Sequence, residues 1–165
     1  MQAVFSLARI ADPDVAPAPY RKETMANLSA AVASSLMRTL RENVAARRAR
    51  VRAYQVLLGT EQGLTLVPHR IGSACLTQVV RVLPKARRDD LSSDVLAALN
   101  GAGYEVQGSY IPIHLLPPYR QLARKSFPHT DRVWADLIEL PCEPAVSFEH
   151  VERIAAIVKQ VIKSQ

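Results

Sequence analysis

Cysteine is scarce: there are two in 165 residues, Cys75 and Cys142. They lie far apart and carry no metal-like spacing. That excludes a disulfide scaffold and a zinc motif, and leaves two reduced, buried thiols as the reading. The four histidines, His69, His114, His129 and His150, share no ligand spacing either. No run approaches the roughly 18 apolar residues of a membrane span. The N-terminal MQAVFSLARIADPD lacks a basic flank, and Arg9 cuts its apolar run short, so the expected location is cytoplasmic. No nucleophile elbow or activated-cysteine signature appears. NGAG (100–103) follows a helical pattern and so stops a helix; it is no phosphate loop. Motif chemistry alone therefore names no reaction.

What is present is an ordinary globular balance, 48% apolar and 22% charged, in a length that favours one domain. A chain of this size can bury roughly 70% of its unfolded surface. The net charge is +6. Its densest cluster, RENVAARRARVR (41–52), reads first as a solvated helix face. A nucleic-acid surface is the weaker reading, because aromatic residues are few (5%) and none interleaves with the arginines. KARR (85–88) is a smaller basic patch.

Residues 1–22 read as a flexible proline-rich arm, broken by Pro13, Pro17 and Pro19. From about Glu23 to Leu58 the apolar residues recur at helical steps: Met25, Leu28, Val32, Leu36, Leu40, Val44, Val51, Tyr54 and Leu58. Gly59 stops the pattern. A single helix of that length would reach about 50 Å, so it either kinks or extends past its own domain to meet something else. Strands are expected at LTLVP (64–68), CLTQVVRVLP (75–84), YEVQGSY (104–110) and LIELP (137–141), with helices near 90–100 and over HTDRVWADL and a helical turn at RQLARK. Ser147 caps a last helix carrying Glu149 in its first turn and Lys159 and Lys163 near its end. The fold predicted for the domain over 23–165 is α+β: a three- to four-stranded antiparallel sheet with helices on one face, led by one long helix.

The segment GSYIPIHLLPPYRQ (108–121) fits none of these elements. Its three prolines bar a helix interior or central strand, and its apolar residues suit a half-buried loop. His114, held there between Ile113 and Leu115, is the leading candidate functional side chain.

Two stretches, GYEVQGSYIPIHLLPPY (103–119) and FPHTDRVWADLIELPCEPAVSFEHVERI (127–154), resemble the C-terminal small domain of the DegT/StrS-type sugar aminotransferases, fold-type I enzymes dependent on pyridoxal phosphate (PLP). The matching residues are Tyr110, Pro112, Ile113, His114, Pro117 and Tyr119, then Phe127 and Pro128, then Leu140, Pro141 and Pro144. MANLSAAV (25–32), ARRARVRAYQVL (46–57) and VVRV (79–82) resemble the family more loosely. The resemblance implies that His114 and Tyr110 help place a nucleotide-sugar substrate. It also implies PLP as cofactor, amino transfer from glutamate, a role in polysaccharide biosynthesis, and either a homo-oligomer or a separate PLP-domain polypeptide as partner.

Several family positions differ. PYRKETM stands where an Asn-x-Arg-Met opening is expected, Asn27 and Ser29 replace Glu and Gln, Ser109 replaces a His, and ACLTQ (74–78) replaces a His-, Trp- and Tyr-rich stretch. The resemblance further implies that the large PLP-binding domain lies outside this sequence. None of the five lysines, Lys22, Lys85, Lys125, Lys159 and Lys163, stands in Schiff-base context, so the chain is expected to bind no PLP covalently alone. The expected function is an incomplete aminotransferase small domain: a split subunit, a truncation or a remnant. The alternative is a non-catalytic module that pairs with itself or with a full-length aminotransferase.

Overall fold

The computed structural model describes residues 26–83, 90–120 and 126–164. The proline-rich arm, KARR, and most of RQLARK lie outside them, as do Lys22, Lys85 and Lys125.

The expected long helix is two helices, α1 (Asn27–Arg38) and α2 (Leu40–Leu58), parted at Thr39, whose ψ of 3° is not helical. The Thr39 hydroxyl donates to the Leu36 carbonyl at 3.3 Å, and its amide donates to the same oxygen at 3.2 Å. A threonine bonding backward in this way competes with the helical ladder. One apolar stripe meets two fates along these helices. Val51, Tyr54 and Leu58 are buried in the core. Leu28, Val32, Leu36 and Leu40 stand 45% to 77% exposed, and α1 has no buried residue at all.

The sheet has four antiparallel strands in the order β1-β2-β4-β3: β1 (Leu64–Leu66), β2 (Thr77–Val82), β3 (Gln107–Gly108) and β4 (Leu137–Pro141). β2 and β4 form its centre, with Val80 opposite Ile138 and Gln78 opposite Leu140. Burial alternates along both strands, as the period-2 side-chain rule requires of a sheet covered on one face. α2, α3 (Leu91–Gly101) and α6 (Phe148–Lys163) cover that face. The predicted α+β class, with helices on one face, is what forms. YEVQGSY pairs only through Gln107 and Gly108. Its approach is held by the Asn100 side chain, which donates to the Val106 carbonyl at 3.1 Å and accepts from its amide.

The core runs through Val80, Val82, Ile138, Leu140, Val95, Leu99, Val151, Ile154 and Val158, all at 0% or 1% exposure. α6 supplies its apolar stripe at the expected spacing, and the Ser147 hydroxyl caps it by accepting from the His150 amide at 3.2 Å. Cys75 and Cys142 are both buried free thiols. No helix among the described residues is long and apolar enough to cross a membrane.

Candidate active-site face

The proline segment leaves β3 as extended backbone, makes one 3-10 turn over Ile113–Leu115, and enters a single helical turn, α4 (Pro117–Arg120). α4 opens on Pro117, where a proline is tolerated because the first turn's amide has no helical partner; the helical turn expected at RQLARK lies, past Arg120, outside the described residues. α5 (Pro128–Ala135) follows and also starts on a proline.

Three contacts fix the loop to its surroundings. The Trp134 indole N–H donates to the Ser109 carbonyl at 2.9 Å. The Ser109 hydroxyl donates to Glu139 Oε1, on β4, at 3.1 Å. His114 Nε2 lies 2.7 Å from Asp131 Oδ1 on α5. An ionised carboxylate only accepts, so Nε2 carries the shared proton. The His114 ring also packs on Phe127, with centroids 4.7 Å apart at 41°. The loop is therefore strapped to α5 by one hydrogen bond at each end.

Between loop and helix lies a cavity of about 490 Å³, lined by Ser109, Tyr110, Pro112, His129, Val133 and Trp134, among others. Its volume is that of a small-molecule site. Tyr110 is on this wall and is 83% exposed. His114 is not among the lining residues; its imidazole is engaged four residues on, against Phe127 and Asp131. Of the two expected substrate residues, then, one faces the cavity and the other braces the loop that forms it. Ser109 stands here as its place in the family pattern implies, whereas the sequence pointed to no role on this face for Trp134, Asp131 or His129. Trp134 is the only tryptophan in the sequence, and its position in HTDRVWADL was the available signal; its partner, the backbone carbonyl of Ser109, has none.

PLP chemistry needs a lysine to form the Schiff base. Lys159 and Lys163 both reach Glu61, at 3.4 Å and 3.2 Å, from α6, and neither lines the cavity. The described residues do not supply a Schiff-base lysine beside Tyr110. Among them, no group of three or more His, Cys, Asp or Glu is placed to hold a metal.

Comparison with known proteins gives the fold its relatives. TlmJ, an aminotransferase from Streptoalloteichus hindustanus, superposes with a TM-score of 0.75 at 24% identity, over 87% of this chain and 38% of TlmJ. Spr1654 from Streptococcus pneumoniae, in its PLP form, gives 0.76 at 19% identity, over 86% of this chain and 36% of that protein. DesI, solved in the presence of its TDP-sugar product, gives 0.74 at 22% identity, over 84% and 36%. This chain thus spans less than two fifths of those proteins' length. No curated protein is significantly similar to it. The family match runs over residues 20–159, from before α1 into α6, and on that match the chain belongs to the DegT/DnrJ/EryC1/StrS aminotransferase family.

Proposed function

We propose that the chain is the small domain of a PLP-dependent nucleotide-sugar aminotransferase and acts only when a large PLP-binding domain joins it, from a separate polypeptide or from a longer form of its own. The observation that carries this reading is the bare apolar stripe that runs along α1 to the start of α2: Leu28, Val32, Leu36 and Leu40 recur every four residues and stay exposed in a chain that spans less than two fifths of relatives such as TlmJ. A stripe of that kind is a packing face whose partner is missing. The second apolar face, around Tyr110, Ile111, Ile113 and Phe127, lies on the proline loop.

In the assembled enzyme PLP supplies the electron sink and carries the amino group. This chain supplies shape. Tyr110 contacts the sugar nucleotide from the cavity wall, and His114 positions the loop through Asp131. DesI, a relative by fold, is known with a TDP-sugar product, and the same substrate class is proposed here, with glutamate as amino donor.

The test is spectroscopic. PLP added to the pure chain is expected to give no lysine-bound chromophore, and a nucleotide sugar is expected to perturb the emission of the single tryptophan, Trp134. A saturable lysine-bound band on the chain alone overturns the claim that it is incomplete. Trp134 emission indifferent to nucleotide sugars in the assembled protein overturns the placement of the substrate at this cavity.

A further inference from the structure

The arginine cluster RENVAARRARVR is not one surface. The fold divides it. Arg50 turns inward and is 8% exposed; its guanidinium donates to the carbonyls of Val146 and Pro144, each at 2.6 Å. Arg47 donates to the Leu76 carbonyl at 2.9 Å and faces Glu143 at 4.0 Å. These two hold the fold together. Arg48 and Arg52, one helical turn apart, remain on the outer side of α2.

There they meet the 67–76 segment, which crosses α2 between β1 and β2. Ser73 organises it. Its carbonyl accepts from Arg48 Nε at 3.0 Å, and its hydroxyl accepts from the Cys75 amide at 3.2 Å and lies 3.3 Å from His69 Nδ1. Gly72 and Cys75 both have positive φ, 89° and 53°; the second is uncommon for a side-chain-bearing residue. The result is a pocket of about 260 Å³ lined by Arg48, Arg52, His69, Arg70 and Cys75. No carboxylate lines it, and none pairs with Arg48, Arg52 or Arg70 among the described residues. His69, which lines it, also has a buried Nε2 with no hydrogen-bond partner.

Three guanidinium groups around one hollow repel each other, and an orphaned buried ring nitrogen is costly. An anion relieves the repulsion among the three guanidinium groups. Several planar forks aimed from different elements suit a tetrahedral oxyanion, which offers more acceptors than the single edge of a carboxylate. The pocket is smaller than a site for a whole drug-sized ligand. No aromatic residue lines it to stack a base, and two of the cluster's arginines point elsewhere. We propose that this pocket is a binding site for the phosphoryl group of a small phosphorylated metabolite. It stands independently of the aminotransferase reading, since it uses no residue of the proline-loop face.

The test is calorimetric titration of the full chain at constant ionic strength with inorganic phosphate, pyrophosphate and a nucleoside monophosphate, repeated on R52Q and R70Q. Both side chains are exposed, so the variants are expected to keep the parent's melting temperature. The expected result is one saturable site weakened at least tenfold in each variant. Phosphate and pyrophosphate binding without the monophosphate assigns the site to free phosphate; binding of all three assigns it to phosphate esters. Absence of saturable heat, or equal affinities in parent and variants, overturns the proposal. So does displacement of pyrophosphate by an oligonucleotide at lower nucleotide concentration, which would make this a polyanion surface.

Discussion

His114 and Asp131 lie 17 positions apart in sequence and meet at 2.7 Å, joining the proline loop to α5. The imidazole is largely covered, at 17% side-chain exposure, while the carboxylate is 43% exposed. The bond therefore works partly in solvent and contributes about 0.2–1 kcal/mol, while the Phe127 ring contact adds about 0.5–1.5 kcal/mol. H114A is expected to lose about 1–2 kcal/mol in urea denaturation, and D131N less than about 1 kcal/mol. A double-mutant cycle should return a coupling near the smaller figure. Additive effects would show that the two side chains do not act as a unit.

Arg50 gives the largest expected loss. Its guanidinium satisfies the carbonyls of Pro144 and Val146, lies over the Phe148 ring at 5.2 Å, and so fixes the approach to α6. R50M keeps most of the volume and leaves both oxygens without their donor. A loss of about 2–4 kcal/mol is expected, with hydrogen exchange accelerating first in the initial turn of α6. A loss below about 0.5 kcal/mol, the range of an ordinary surface substitution, would show that water replaces the arginine without penalty.

Most of the fold was legible in the sequence because its signals are local. β4 occupies 137–141, the short strand that a proline stops, and Ser147 caps α6 as its hydroxyl predicts. A kink was one of two readings of the long helix's length, but its place at Thr39 was not legible, because the apolar stripe continues straight through it. The division of the arginine cluster was hidden for another reason: whether Arg50 or Arg52 turns inward depends on carbonyls nearly a hundred residues away. The motif around His114 located the candidate face, yet gave no sign that the imidazole is taken up by Asp131 while Tyr110 faces the cavity.

Glu61 links α2 to α6 through Lys159 and Lys163. Burial by itself pushes its carboxyl upward. Hydrogen bonds from Lys163 and Lys159 outweigh that, and hold the group below its ordinary value of 4.5. A carboxyl depressed in the folded state adds stability above its unfolded pKa and loses it as pH falls through the folded one. The melting-temperature gap between the parent and E61Q is therefore expected to be widest at neutral pH and to close below about pH 4. A gap unchanged across that range would trace the effect to packing.

Burial, with Glu143 and Cys75 nearby, pushes the Cys142 thiol up to about 12. The nucleophile is the thiolate, and both cysteines are buried. A thiol reagent near neutral pH is expected to label neither in the folded protein and both in urea. Rapid native labelling of Cys142 would mean that the strand end at Pro141 opens readily.

The central claim is that α1 and the proline loop await a PLP-binding domain, and the most direct measurement is recovery of the tagged chain from its native host, read by mass spectrometry and absorbance. The account predicts a stoichiometric polypeptide, or an extension of the same chain, carrying PLP on a lysine. It also predicts that recovery of a separate partner fails for L28E/L36E, two exposed positions whose change should leave the fold intact. A colourless chain recovered alone, or recovered identically with and without the α1 substitutions, would contradict it.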